Sequence, residues 1–206
     1  MIAIEGSSKD FTGSEKTPAS EDLFALGDDT KLDKDRADEF HHIVVKGLFV
    51  SKHARPDIQP PVIVLYTRVK APNVSDCEKL MRLLKHLNGT RDDVLTLSAD
   101  DLYVIKWYTD AVFAVHPGIK SYAGGTMSFG HGAVRSLFRK QKLNARGSAD
   151  AELVGADDGA TPMLWTKLFM EAQGYLIESS ILLEVNGKKG SSKRTRALNM
   201  RYFFLS

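Results

Sequence analysis

The sequence predicts an α+β protein, and two observations carry that prediction. Apolar residues recur at helical spacing between about residues 33 and 89, and from about residue 94 they alternate in short runs before helical spacing returns at 148. The chain's 206 residues, 43% hydrophobic and 26% charged, give room for one domain, or one domain with a smaller piece attached, and suit a globular core rather than wholesale disorder.

Residues 1–30 are rich in Ser, Gly, Thr and Asp with weak periodicity, and predict a loose leader. Asp28-Asp29 within it resembles the paired aspartates of polymerases, but no hydrophobic hairpin surrounds the pair, so a solvated acidic loop is the reading. From Asp33, Phe40, Ile43, Val44, Gly47 and Leu48 line one helical face, and Pro56, Pro60 and Pro61 punctuate its end. VIVLYTRV suits a short helix. Asn73 to Asp76 then offers N-cap residues for a third helix, striped by Leu80, Leu83, Leu84 and Leu87 and closed at Asn88-Gly89. His41, His42, His53 and His86 lie on or beside these helices without the tight spacing of a ligand set.

After Thr90 the pattern changes. LYVIKWYTDAVFAV alternates, with Ile105, Trp107, Thr109, Ala111 and Phe113 on one face and Tyr108, Asp110 and Val112 on the other. SYAGGTMSFG, a GHG turn at 130–132 and AVRSLFRKQK complete three consecutive antiparallel strands. Ser148 predicts the cap of a helix through AELVGADD, and Pro162 predicts a restart through MLWTKLFMEAQ.

Composition excludes several classes of protein. One cysteine, Cys77, rules out an internal disulfide and a multi-cysteine zinc site, and a reducing compartment follows. The N-terminus has neither a basic region nor an apolar stretch of secretory type, and no run of 18 apolar residues exists, so the expectation is a cytoplasmic or nuclear protein that is not secreted and meets no membrane. The net charge is +2, unevenly spread: residues 1–39 hold 11 acidic and 5 basic groups, whereas residues 186–206 hold 6 basic groups and no acid. Arg135, Arg139, Lys140, Lys142 and Arg146 form a second acid-free basic run, and with Lys193, Arg194 and Arg196 of the tail they are the candidate contacts to a polyphosphate backbone.

Two acids stand out. Asp110 sits mid-strand, where a carboxylate has no ladder role, and Glu152 sits at the start of the helix after the third strand. Carboxylates contributed by a strand and a helix start can hold Mg²⁺, which prefers hard oxygen ligands. Two-metal phosphodiester cleavage needs a larger set of acids than this pair.

The runs FHHIVVKGLFVSKHARPDI, LYTRVKAP, KLMRLLKHLNGT, IKWYTDAVFAVHPGIKSYAGGTMSFGHGAV, KQKLN, AELVGADD, LWTKLFMEAQGY, SILLEVNGK and SSKRTRALNMRYFF, in this order, resemble the polyprotein of copia-type LTR retrotransposons. The resembling segment joins reverse transcriptase to ribonuclease H and continues into ribonuclease H. Beyond the loose leader at 1–30 read from its composition, the resemblance implies a helical connection segment at 31–99 and a ribonuclease H-like domain, incomplete, at 100–206. It further implies Mg²⁺-dependent hydrolysis of the RNA strand of an RNA–DNA hybrid, with Asp110 and, within GSADAEL, Glu152 as metal ligands. Here the chain departs from the family. QGYLIE runs straight into SSILLEVNG, so the fourth strand and its Q-D-N, source of the third ligand, are missing; Glu178 and Glu184 are the nearest acids, and Ala197 replaces the histidine of R-T-R-H. The expectation is therefore an inactive copy whose first strand has an exposed edge, filled at best imperfectly by YLIESSILLE. The alternative is a non-catalytic remnant that binds nucleic acid weakly, or a pseudogene product.

Overall fold

The structure, a computed structural model, describes residues 13–25, 27–115 and 118–184, with backbone alone at 179 and 181–184. The chain divides into two compact units, residues 1–95 and 96–206, a few residues before the boundary expected at 99/100.

The first unit is helical. Helix α1 spans Lys34–His53, α2 spans Gln59–Tyr66 after a short 3₁₀ turn at Pro56–Ile58, and α3 spans Val74–Gly89. Asp33 caps α1 by accepting the Arg36 N–H at 2.9 Å. Asn73 and Asp76 form a reciprocal capping box on α3: Asn73 Oδ1 accepts the Asp76 N–H at 2.8 Å, and Asp76 Oδ2 accepts the Asn73 N–H at 3.0 Å. The predicted stripes close a core of Phe40, Val44, Ile58, Val62, Leu65, Leu80, Leu83 and Leu84. The leader has no helix or strand among its described residues, yet it is tied to α3. Arg82 holds Glu15 and the Thr17 hydroxyl, Lys79 donates to the Ala25 carbonyl, and Leu23 is buried.

The second unit is the α+β part. Its strands are β1 (Ser98–Ala99), β2 (Val104–Val112), β3 (Tyr122–Ser128), β4 (Gly130–His131), β5 (Arg135–Lys140) and β6 (Ser179–Glu184), with one helix, α4 (Ser148–Ala172). β2, β3 and β5 are the expected antiparallel meander, and the turn between β3 and β5 makes a small excursion in which β4 pairs with β1. The main sheet runs β5-β3-β2-β6, and β6 lies parallel to β2, with Val104 opposite Ser179 and Thr109 opposite Glu184. The edge of β2 that was expected to lie open is thus paired, over six positions, by a segment of the run YLIESSILLE. The ladder needs only backbone N–H and C=O groups, so a different segment can complete it.

Helix α4 packs on β2 and β3 through small residues. Ala151, Gly155, Ala156 and Gly159 are buried, and beneath them lie Ile105, Trp107 and Met127. Two local expectations are corrected. The N-cap of α4 is Gly147, not Ser148, which occupies the first helical position. Pro162 starts no second helix: it lies inside one continuous helix of 25 residues, where sheet packing upstream and helix formers on both sides outweigh one lost backbone hydrogen bond.

Candidate functional site

Strand β2 presents Thr109 and Ala111 to α4, both within van der Waals distance of a side chain built at Gly155. Alternation therefore puts Asp110 on the opposite face of the sheet, in register with Gly124 and beside the stacked rings of Tyr122 and Phe138, whose centroids are 5.2 Å apart. Asp110 Oδ1 accepts the N–H of Ala111 at 2.8 Å. Glu152 is half-buried on α4, one turn before Gly155, and its Oε1 accepts the Ser148 hydroxyl at 3.2 Å. Asp110 thus points away from α4, the helix that carries Glu152.

The replacement acids do not repair this. Glu178 is exposed, and its N–H bonds to the Tyr103 carbonyl at the end of β2 remote from Asp110. Glu184, the last described residue, is in register with Thr109. Among the described residues no three His, Cys, Asp or Glu side chains converge as a metal-binding group. Asp110 and Glu152 alone do not make the larger set of carboxylates that a two-metal Mg²⁺ centre uses.

The basic run is divided by the same alternation. Arg135 and Arg139 are in register with Met127 and Ala123 on the α4 face, whereas Lys140 is in register with Tyr122 on the other. Arg139 is engaged by α4: its Nε donates to Asp158 Oδ2 at 2.6 Å and its Nη2 pairs with Asp158 Oδ1. That hydrogen bond, reinforced by the charges of Asp158 and Asp157 and opposed by partial burial, holds the guanidinium above its ordinary pKa. The Lys142 carbonyl accepts from Lys120 Nζ at 2.8 Å, and the Arg146 N–H donates to Asp150 Oδ2 at 3.1 Å. Lys193, Arg194 and Arg196 lie outside the described residues.

Reading the sequence missed Asp157 and Asp158. The signal was present: Asp158 is seven residues after Ala151, so it returns to the stripe of α4 that faces the sheet, where Arg139 of β5 arrives. Gln141 was also passed over. It is buried, donates from Nε2 to the Ala151 carbonyl at 2.8 Å, and locks the end of β5 to the start of α4. In the first unit, Asp28 accepts both the N–H and the hydroxyl of Thr30, and Asp29 accepts from Asn73, so the leader's acids serve local turns.

Over 159 aligned residues the chain is 28% identical to the Retrovirus-related Pol polyprotein from transposon TNT 1-94 of Nicotiana tabacum. The alignment covers 73% of this chain and 12% of that protein. No family model matches, and no solved structure matches. The similarity supports a relationship to a retrotransposon polyprotein.

Proposed function

We propose that the chain is a segment of a copia-type retrotransposon Pol polyprotein, comprising a reverse-transcriptase connection segment followed by a ribonuclease H-like unit that no longer cleaves RNA. The observation that carries this reading is the sheet order β5-β3-β2-β6, with α4 leading back to a strand parallel to β2. A ribonuclease H sheet likewise sets its fourth strand beside its first. The similarity to the tobacco polyprotein supports the same origin. Lost cleavage follows from the site. Alternation points Asp110 away from α4, the helix that carries Glu152. Metal-dependent phosphodiester hydrolysis depends on placing carboxylates within a fraction of an ångström, so it does not survive this arrangement.

The test is direct. The purified protein is incubated with an RNA–DNA hybrid in Mg²⁺ or Mn²⁺, and no cleavage above buffer is expected. Metal-dependent cleavage that disappears in Asp110→Asn would overturn the inactive reading and return Asp110 to a catalytic role.

A second reading concerns what is retained. The exposed Arg135, Lys140 and Lys142 fit weak, sequence-independent contacts to the phosphates of an RNA–DNA hybrid. Binding at low salt that falls steeply as salt is raised distinguishes this remnant function from a pseudogene product that binds nothing.

A further inference from the structure

We propose that the cleft between the end of β5 and α4 is a phosphate-binding site whose arginine is held by an internal substitute for phosphate, the Asp158 carboxylate. This rests on the reading that the basic run meets a nucleic-acid backbone, and it names the place and the device that weakens that contact.

The cleft has a volume of about 320 Å³ and is lined by Arg139, Lys140, Lys142, Asp157 and Asp158, with an apolar wall that includes Leu153. A guanidinium offers two parallel N–H donors, a geometry that suits carboxylate and phosphate equally. Asp158 uses it in that way, through Nε and Nη2 of Arg139. The Asp158 side chain is 15% exposed while that of Arg139 is 49% exposed, so the anion is sheltered and the cation remains reachable from solvent. A backbone phosphate that engages Arg139 must displace or share it with Asp158. Displacement leaves a sheltered carboxylate without its partner, and that cost is subtracted from the affinity. The acidic pair on α4 thus sets how tightly the basic run holds nucleic acid.

Removing the substitute should release the site. A hydrogen bond to a charged group contributes about 1.5–3 kcal/mol, so Asp158→Asn is expected to tighten hybrid binding at low salt about tenfold or more. The log–log salt slope should steepen by about 0.9, one phosphate contact. Glu171→Gln removes one negative charge from the same helix away from the cleft and should leave the slope unchanged. Arg139→Ala in the Asp158→Asn background should cancel the gain. Equal effects of Asp158→Asn and Glu171→Gln, or a gain that persists without Arg139, would overturn the proposal and assign the effect to net charge. If neither the wild-type protein nor any variant binds hybrid at low salt, both the site and the binding reading fall. A gain confined to Asp158→Asn supports both. In the wild-type protein, the Arg139 Nε–H resonance should shift on titration with hybrid and much less with inorganic phosphate at equal phosphate concentration. No shift with either overturns the site without any variant needing to fold, and an equal shift with both reassigns it to free phosphate.

Discussion

Trp107 is fully buried, and its indole Nε1 has no hydrogen-bond partner among the described residues. It can lie flat between sheet and helix because two glycines leave it space. A methyl group at Gly159 would stand 1.9 Å from Nε1, and one at Gly125 would stand 2.6 Å from the ring. The helix position makes the outcome diagnostic. In an open helix Gly→Ala stabilises by about 1 kcal/mol, whereas forcing extra volume into a packed site costs about 1–3 kcal/mol. The obstacle is a rigid ring rather than a flexible chain end, so the second effect wins. Gly159→Ala should lower the urea midpoint of the second unit, and a raised midpoint would show that α4 can lift off Trp107 freely. The sequence grouped Trp107 with Ile105, Thr109 and Ala111 on one face but left Gly159 unremarked, because its requirement comes from a neighbour 52 residues away and not from local pattern.

At the level of elements, the helical spacing of α1 and α3 and the alternation of β2 were readable because each has one apolar face and end signals nearby. Helix α4 was less so. Pro162 predicts a break where the structure has an interior proline, with the Thr166 hydroxyl donating to the Pro162 carbonyl at 2.9 Å. A proline inside a helix costs about 3 kcal/mol through the lost N–H and ring crowding. Pro162→Ala should therefore raise the melting temperature, and an unchanged value would mean that the ring's packing already offsets its backbone cost. The turn before α2 also carries a pH dependence. Asp57 lies against Arg55 at 2.7 Å and His86 Nε2 at 3.2 Å, while His86 Nδ1 is 3.0 Å from the Glu15 carbonyl and Arg55 also donates to the Thr90 carbonyl and hydroxyl. Burial pushes the Asp57 carboxyl up, but the hydrogen bonds from Arg55 and His86 outweigh it and leave the pKa below the usual carboxylate range. A depressed folded-state pKa gives stability that is complete above the unfolded value of about 3.9 and is lost as pH falls through the lower folded value. In Asp57→Asn the decline in stability below about pH 4 should be shallower than in wild type when followed by circular dichroism. Superimposable acid transitions would remove Asp57 from that role.

On the scale of the whole molecule, two cores account for two units, and the order of elements was legible from composition and period alone. The parallel partner of β2 was named as the run YLIESSILLE, but through the family resemblance and not through local pattern; its last six residues, SSILLE, form β6. Removing residues 179–206 should leave β2 as a bare edge. The shortened protein is expected to associate at micromolar concentration in sedimentation experiments, since an unpaired strand is a template for another chain. A monomeric, cooperatively folding product would show that β6 is dispensable.

The pairing of β6 with β2 also shows how differently form and chemistry depend on sequence. A β-ladder is satisfied by any peptide backbone of adequate length, so an architecture can heal a lost segment with whatever follows it. A reaction centre has no such tolerance, because its requirement is for one functional group at one register position. Here β6 completes the edge of β2 in parallel over the six positions from Val104 to Thr109, and the fit asks only for extended backbone there. A binding or reactive group on the same strand would ask for one side chain at one of those positions.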